Sequence, residues 1–145
     1  MQVIQYRITT ELDEMDFDLI HEFLSHSYWA QSIPRATLWK ALNNSLCFAA
    51  LNAQNATLGF ARMISDYATY AYLADVFVIP SARGQGLSKA LLQAIVAHPQ
   101  LQGLRRITLV TRDAHELYRQ FGFTSLNTPD SYMEKWNPQV YIIEK

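Results

Sequence analysis

The segment Val76–Ser88 reads VFVIPSARGQGLS and combines three local signals. Its first four residues are apolar, which is typical of a buried strand, and Pro80 ends that strand because proline cannot donate to a β-ladder. Gly84 and Gly86 then form a tight turn before a helix that we predict over residues 87–97. The first amide groups of a helix have no partner within it and carry the positive end of the helix dipole. The segment therefore predicts a strand–turn–helix unit that cradles a pyrophosphate.

This glycine turn does not match two common phosphate-binding motifs. The P-loop requires a Lys–Ser or Lys–Thr pair after its last glycine, and that pair is absent at that spacing. The dinucleotide motif G-x-G-x-x-G is also unmet, because Lys89 or Ala90 stands where the third glycine is needed. Arg83 can add a charge-assisted contact to a phosphate. A plain strand-to-helix connection stays open as an alternative, since glycine turns are common.

The surrounding pattern predicts an α/β fold with a mixed sheet. Alternating or apolar runs predict strands at residues 3–9, 46–51, 57–64, 70–79, 106–110, 121–124 and 140–143. Amphipathic spacing and start signals predict helices at residues 13–27, 34–43, 87–97 and 113–120. Three strands in a row, followed by a β-α-β-α order, indicate a mixed sheet with one central crossover.

Composition limits the class of protein. The 145 residues, half of them hydrophobic and 17% charged, predict one globular domain over residues 1–145. A net charge of −1 argues against a nucleic-acid partner. The lone Cys47 cannot form an internal disulfide or a thiolate metal site, so no metal is predicted. The first ten residues lack a signal-peptide pattern, and no apolar run approaches the ~20 residues of a membrane helix. We therefore expect a cytoplasmic protein without membrane contact.

Two motifs resemble a known family. The turn Arg83–Ser88 resembles the R/Q-x-x-G-x-G/A motif of the GNAT superfamily of N-acetyltransferases, with Ser88 as a small substitute for Gly or Ala. Residues 114–123, AHELYRQFGF, resemble the A-x-x-L-Y-x-x-x-G-F segment of the same family. The predicted element order also fits. The resemblance implies an enzyme that transfers acetyl from acetyl-CoA to a primary amine in a ternary complex. It also implies a mostly antiparallel sheet that is splayed at the cofactor site.

The resemblance implies a set of cofactor contacts. Backbone groups of Phe77 and Val78 would pair with the pantetheine arm of acetyl-CoA. Thr111 stands where many family members carry an asparagine that helps to hold the cofactor. The pyrophosphate would be held by the backbone amides of Arg83, Gly84, Gln85, Gly86, Leu87 and Ser88.

Two residues are candidates for the chemistry. Tyr118 lies in the L-Y part of the second motif, where many members use the phenol to protonate the departing thiolate. A tyrosine packed in the core with a satisfied hydroxyl is the alternative. Asp75 lies inside a strand-like run, and a buried carboxylate is unfavourable unless it is paired. We expect Asp75 to act as a general base or to anchor the acceptor amine; the alternative is an ion pair with an arginine such as Arg62.

The sequence says less about the acceptor side, meaning the residues that would bind the acceptor amine. Tyr28 and Trp29 end the first predicted helix, where the family often has its acceptor loop, and Arg62 and Arg112 are further substrate-binding candidates. A small-molecule amine is slightly favoured over a protein amine, because no peptide-docking extension is visible. An acyl-CoA-binding module of the same fold without turnover stays open as an alternative. A homodimer is possible through residues 136–143, with the oligomeric state left open.

Overall fold

The computed structural model describes residues 5–142. The strands are β1 (Tyr6–Thr9), β2 (Leu46–Asn52), β3 (Thr57–Ser65), β4 (Tyr70–Val78) and β5 (Arg106–Leu109). The α-helices are α1 (Phe17–Ser25), α2 (Arg35–Asn43), α3 (Leu87–Ala97) and α4 (His115–Arg119). Among these described residues, no helix has the length and apolar character needed to cross a membrane.

The five strands form one sheet in the order β1-β2-β3-β4-β5. Neighbouring strands from β1 to β4 are antiparallel, and β5 is parallel to β4. A parallel pair needs a crossover connection, and α3 provides it. The predicted mixed, mostly antiparallel sheet is thus confirmed, with the crossover where the glycine turn leads into a helix.

The two predicted C-terminal strands were wrong. Residues 121–124 form no strand because Gly122, at φ +90°, ends α4 in a left-handed conformation. The amide of Phe123 donates to the carbonyl of Tyr118, and the amide of Gly122 donates to the carbonyl of Arg119. These two bonds form the Schellman pattern of a helix end. Residues 140–142 lie in a turn, and residue 143 lies outside the described residues.

Two predicted boundaries at the N-terminal end also move. The first strand begins at Tyr6, and the predicted residues 3 and 4 lie outside the described part of the chain. The first helix begins at Phe17 because the Asp16 side chain accepts a hydrogen bond from the Leu19 amide, as an N-cap does. Capping chemistry at Asp16 therefore decides where this helix starts.

The sheet buries side chains on both faces. Apolar residues of α1 and α2 cover one face, where they pack on Cys47, Ala49 and Leu51 of β2. The opposite face receives α3, whose Leu91, Leu92 and Ile95 pack with Phe48 and with residues of β3 and β4. Fully burying a side chain of this size contributes about 1.5–3 kcal/mol, so these two layers fix the sheet rigidly beneath the site described next.

Candidate active site

The strands β4 and β5 part from each other halfway along β4. Their pairing covers only four residues of each strand, from Tyr70 opposite Arg106 to Leu73 opposite Leu109. Beyond Leu73, β4 continues to Val78 and stays paired only with β3. From residue 74 onward, one edge of β4 has no strand partner and its backbone groups are free to bind a ligand. The splay implied by the family resemblance is therefore present in the register of the sheet.

The glycine turn presents a row of free amides at the end of β4. The amide of Arg83 donates to the carbonyl of Pro80, at 3.3 Å, so it is already used. The next six amides, of residues 84–89, have no backbone acceptor among the described residues. Gly84 and Gly86 adopt left-handed backbone, at φ +78° and +81°, and a Cβ built at either would meet no atom within 4 Å. The turn thus combines open space beside both glycines with a run of free N–H donors, which suits a pyrophosphate.

Buried side chains hold this turn in place. Val78, Ala82 and Leu87 belong to one buried cluster, which ties the end of β4 to the start of α3. The Arg83 guanidinium donates from Nε to the Val78 carbonyl at 3.0 Å. Phe77 is buried and its ring stacks on that of Phe23, with the centroids 4.0 Å apart. Among these predicted cofactor residues, the apolar side chains are therefore part of the core.

A β-bulge occurs where β4 leaves β5. The register with β3 passes from Phe77 opposite Phe60 to Ala74 opposite Arg62, so Asp75 and Val76 together face a single residue of β3. Asp75 has φ +60°, a left-handed conformation that Asp tolerates better than most residues. In a regular strand its side chain would point to the face opposite that of Ala74. The bulge instead allows the carboxylate to reach Arg62.

Asp75 is the centre of a nearly buried polar network. Its side chain is 7% exposed and that of Arg62 is 15% exposed. The Arg62 Nε donates to Oδ2 of Asp75 at 2.8 Å, and the Trp29 indole N–H donates to Oδ1 at 2.8 Å. A terminal nitrogen of Arg62 also donates to the Ser45 hydroxyl at 3.1 Å. The ion pair with Arg62 is the arrangement that the sequence left open as the alternative for Asp75.

The loop after α1 carries the two exposed aromatic side chains of the site. The buried Ser27 hydroxyl donates to the Leu24 carbonyl at 2.7 Å and accepts from the Ala30 amide at 3.1 Å. These bonds fix the backbone on both sides of Tyr28 and Trp29. The two rings meet edge to face, with their centroids 5.0 Å apart. One serine therefore positions both aromatic side chains beside β4.

Tyr118 and Arg112 approach this loop from the far side of the splay. Arg112 follows β5, and its guanidinium carbon lies 3.7 Å from the centroid of the Tyr28 ring, a cation–π contact. Tyr118 on α4 is 8% exposed, and its hydroxyl, which is not itself buried, makes no hydrogen bond to a described residue. Burial, and next the nearby Tyr28, raise the pKa of the Tyr118 phenol above its ordinary value. The phenol is therefore fully protonated at neutral pH.

Some site residues were not predicted from the sequence. One is Ser45, whose hydroxyl accepts a hydrogen bond from Arg62. The other is Tyr72, whose pKa is raised first by burial and then by the nearby Asp75 carboxylate. Strand alternation places Tyr72 and Asp75 on opposite faces, and only the bulge brings them together. Thr111, predicted to contact the cofactor, accepts a hydrogen bond from the Ala114 amide at 3.0 Å and so helps to start α4. No sequence signal marks a bulge of this kind.

Two grooves are lined by residues of β5, and neither contains the glycine turn or Asp75. One lies between β5, α3 and residues 121–128. The other lies between β5, α4 and residues 123–129, and it reaches Thr111 and Tyr118. Both border the C-terminal segment where strands were predicted but not formed. The free amides and the polar network line neither groove, so we place the candidate site at the splay between β4 and β5.

Comparisons with known proteins agree with this geometry. A sequence model of the acetyltransferase (GNAT) family matches residues 11–123. This chain therefore belongs to the GNAT family of acetyltransferases. The class of reaction is acyl transfer, and members of the family generally use acetyl-CoA and act on amines.

Individual relatives extend the comparison. The crystal structure of a candidate GNAT acetyltransferase from Xanthomonas campestris is 47% identical, with a TM-score of 0.92, and the match covers 97% of this chain and 99% of that one. A candidate acetyltransferase of Gibberella zeae is 32% identical over 78% of this chain and 75% of its own length. A soybean histone acetyltransferase is 35% identical, and the match covers 62% of this chain but only 44% of the soybean protein. This chain thus spans under half of that relative.

Proposed function

We propose that this protein transfers the acetyl group of acetyl-CoA to the primary amine of an acceptor by direct attack. One observation carries the proposal. The splay between β4 and β5 has free backbone amides at one end and the Asp75 network at the other, and the Tyr118 phenol lies near Tyr28, the neighbour of Trp29 in that network. A thioester with a phosphorylated arm suits such a site. The arm needs hydrogen-bond donors, the thioester needs polar catalytic groups, and the two sets must lie at a fixed separation.

The glycine turn is proposed to bind the pyrophosphate. Acetyl-CoA supplies a reactive thioester and a dianionic pyrophosphate when it is bound. The amides of residues 84–89 are oriented donors at a helix N-terminus, and the open space over Gly84 and Gly86 leaves room for phosphate oxygens. The unpaired edge of β4 from residue 74 offers hydrogen bonds to an extended arm. These features support a cofactor that lies along β4.

Tyr118 is proposed as the general acid. Transfer forms a bond between the acceptor nitrogen and the acetyl carbon, and breaks the bond between that carbon and sulfur. The sulfur leaves with the electron pair and takes the proton of the Tyr118 hydroxyl, while the nitrogen releases one of its protons to solvent. The raised pKa keeps this phenol protonated, and its hydroxyl has no described partner that would compete. General acids of this kind contribute roughly 10²–10⁴-fold in rate.

Asp75 is proposed to hold the acceptor side together and to attract the amine. Both carboxylate oxygens already accept N–H bonds, from Arg62 and Trp29. Because Arg62 and Trp29 already occupy both oxygens, of the two roles predicted from the sequence the anchor is favoured over the base. The acceptor would enter beside the contact between Tyr28 and Arg112. Small amines are the favoured acceptor class, and protein amines are the alternative.

The proposed function is tested by measuring acetyl transfer and acetyl-CoA binding on the same protein preparations. Thiol release from acetyl-CoA is measured against a panel of amines for the wild type and for Tyr118→Phe. We expect kcat to fall about 100-fold or more in the variant, with acetyl-CoA binding retained. Thermal unfolding reports that binding, since ligand at 100 times its Kd adds about 2.7 kcal/mol to stability. Binding without turnover on any amine would instead assign a cofactor-binding module.

A glycine pair tests the cofactor cradle. Gly86→Ala places a methyl group in the open space beside the free amides, and the left-handed backbone at φ +81° makes the change unfavourable by about 1–2 kcal/mol. Gly103→Ala is the matched control, because Gly103 has φ +75°, open space around it and a position outside the turn. Both variants should lose similar stability, and only Gly86→Ala should lose acetyl-CoA binding. Equal binding by both variants would contradict the proposed cradle.

A further inference from the structure

Arg112 carries a positive charge that the acceptor side does not neutralise. Each of the ion pairs among the described residues involves other groups, and none includes Arg112. Its sequence neighbour Asp113 forms no ion pair with it either. The Arg112 side chain is exposed to solvent, with its guanidinium held over the Tyr28 ring at 3.7 Å. A guanidinium placed in this way still has its N–H donors free.

A continuous set of contacts ties Arg112 to the acceptor side. The guanidinium stacks on Tyr28, whose ring touches Trp29 edge to face at a centroid distance of 5.0 Å. Trp29 donates to Asp75, and Asp75 is paired with Arg62, both at 2.8 Å. The network thus holds two guanidinium groups and one carboxylate, which leaves one positive charge in excess. An acceptor that was only an amine would meet no charge that complements this excess.

We propose that the acceptor carries a carboxylate as well as its amine, and that Arg112 binds this carboxylate. The inference rests on the proposed acetyl transfer and names the substrate class of the same site. A planar guanidinium matches a carboxylate with two parallel N–H bonds, and the Tyr28 ring beneath it restricts its orientation. The excess positive charge also favours the neutral form of a neighbouring amine, which is the form that attacks. Amino acids and peptides with a free C-terminus are members of this class.

The test uses pairs of compounds that differ only at the carboxyl group. Glycine, leucine, phenylalanine and glutamate are compared with their α-carboxamides as acceptors, with acetyl-CoA saturating. The ratio of KM between Arg112→Gln and wild type is taken for each compound, which cancels the different amine pKa of acid and amide. We expect this ratio to be about 10–100 for the acids, as charge-assisted hydrogen bonds generally imply, and under about 2 for the amides. Arg112→Lys keeps the charge but loses the planar fork. For the acids, its KM ratio to wild type should lie between 1 and the ratio of Arg112→Gln.

Arg35→Gln is the matched control. Its guanidinium also lies over an aromatic ring, 5.0 Å from the centroid of Phe17, but is paired with Asp18 at 2.7 Å, away from the site. This variant removes the same charge and should leave every KM unchanged. A similar rise in KM for acids and amides in Arg112→Gln would overturn the inference. So would a loss of acetyl-CoA binding in that variant, because Arg112 would then contact a cofactor phosphate.

The inference and the proposed function fail in different ways. If no compound is acetylated, the same acids and amides are titrated calorimetrically into the complex of the chain with CoA. Binding of the acids that Arg112→Gln weakens would support the carboxylate site while the proposed transfer fails. Absence of any acid binding would overturn the carboxylate site as well. If acids and amides are acetylated equally well, the proposed acetyl transfer stands and only the carboxylate site is overturned.

Discussion

The ion pair between Arg62 and Asp75 predicts a large and specific loss of stability when either charge is removed. Asp75→Asn keeps the side-chain shape and tolerates the left-handed backbone at φ +60°, so it isolates the charge. Arg62→Gln removes the other charge. Each change leaves its partner ionised in a pocket where the two side chains are only 7% and 15% exposed.

The magnitude follows from burial. Removing one partner of a buried ion pair destabilises a protein by about 3–5 kcal/mol, and the residual exposure of Arg62 places this pair at the lower end, about 3 kcal/mol. The unfolding entropy of a chain of 145 residues is about 0.3 kcal/mol/K, so each single variant should lower Tm by about 10 °C. The double variant leaves no unpaired charge. Its loss should therefore be smaller than that of either single variant, and far from the roughly 6 kcal/mol that additivity requires.

Urea unfolding at 25 °C and calorimetric Tm at neutral pH measure these effects. The control is Asp18→Asn, which breaks the ion pair with Arg35. That pair has a similar distance, 2.7 Å, but its side chains are 81% and 57% exposed, so the loss should stay within about 0.5 kcal/mol. If Asp75→Asn and Arg62→Gln cost no more than Asp18→Asn, or if their effects add in the double variant, the pair is screened by solvent and the reasoning fails.

Three further predictions concern single side chains. Tyr28→Phe keeps the ring under Arg112 but removes a group that raises the pKa of Tyr118, so the alkaline decline of kcat should move to lower pH; a move to higher pH would contradict the assigned cause. Burial raises the pKa of the Cys47 thiol to about 12, so a thiol reagent such as DTNB should leave it unmodified at pH 8 until urea unfolds the chain. Asp16→Ala removes the N-cap of α1 and should lower stability by about 1 kcal/mol, while Asp13→Ala, nearby and outside the cap, should change it little; equal losses would show that the cap is not formed.

The sequence predicted the elements around the glycine turn well, because their signals are local. Helix α3 was predicted with the boundaries it has, since Gly86 and the first turn of the helix are specified by neighbouring residues. The hairpin of β2 and β3 follows from alternation around a short turn. The family was also accessible, because two motifs lay in the right order on the right elements.

The wrong C-terminal strands show the limit of local signals. Residues 121–124 have strand-forming character, but the backbone donors of Gly122 and Phe123 are used to end α4. A helix end and a strand compete for the same amides, and composition does not show which one uses them. The outer edge of β5 therefore has no strand partner among the described residues.

By itself the sequence determined the strand–turn–helix unit, the mixed sheet and the family, because each depends on residues close together in the chain. Only the tertiary structure decided that Asp75 pairs with Arg62 and Trp29, since these residues are 13 and 46 positions away and meet through a β-bulge. It also decided that Arg112 lies on Tyr28. The physical reason is that a register shift of one residue reverses the face to which a side chain points, and pairing between strands, rather than any local preference, sets that register.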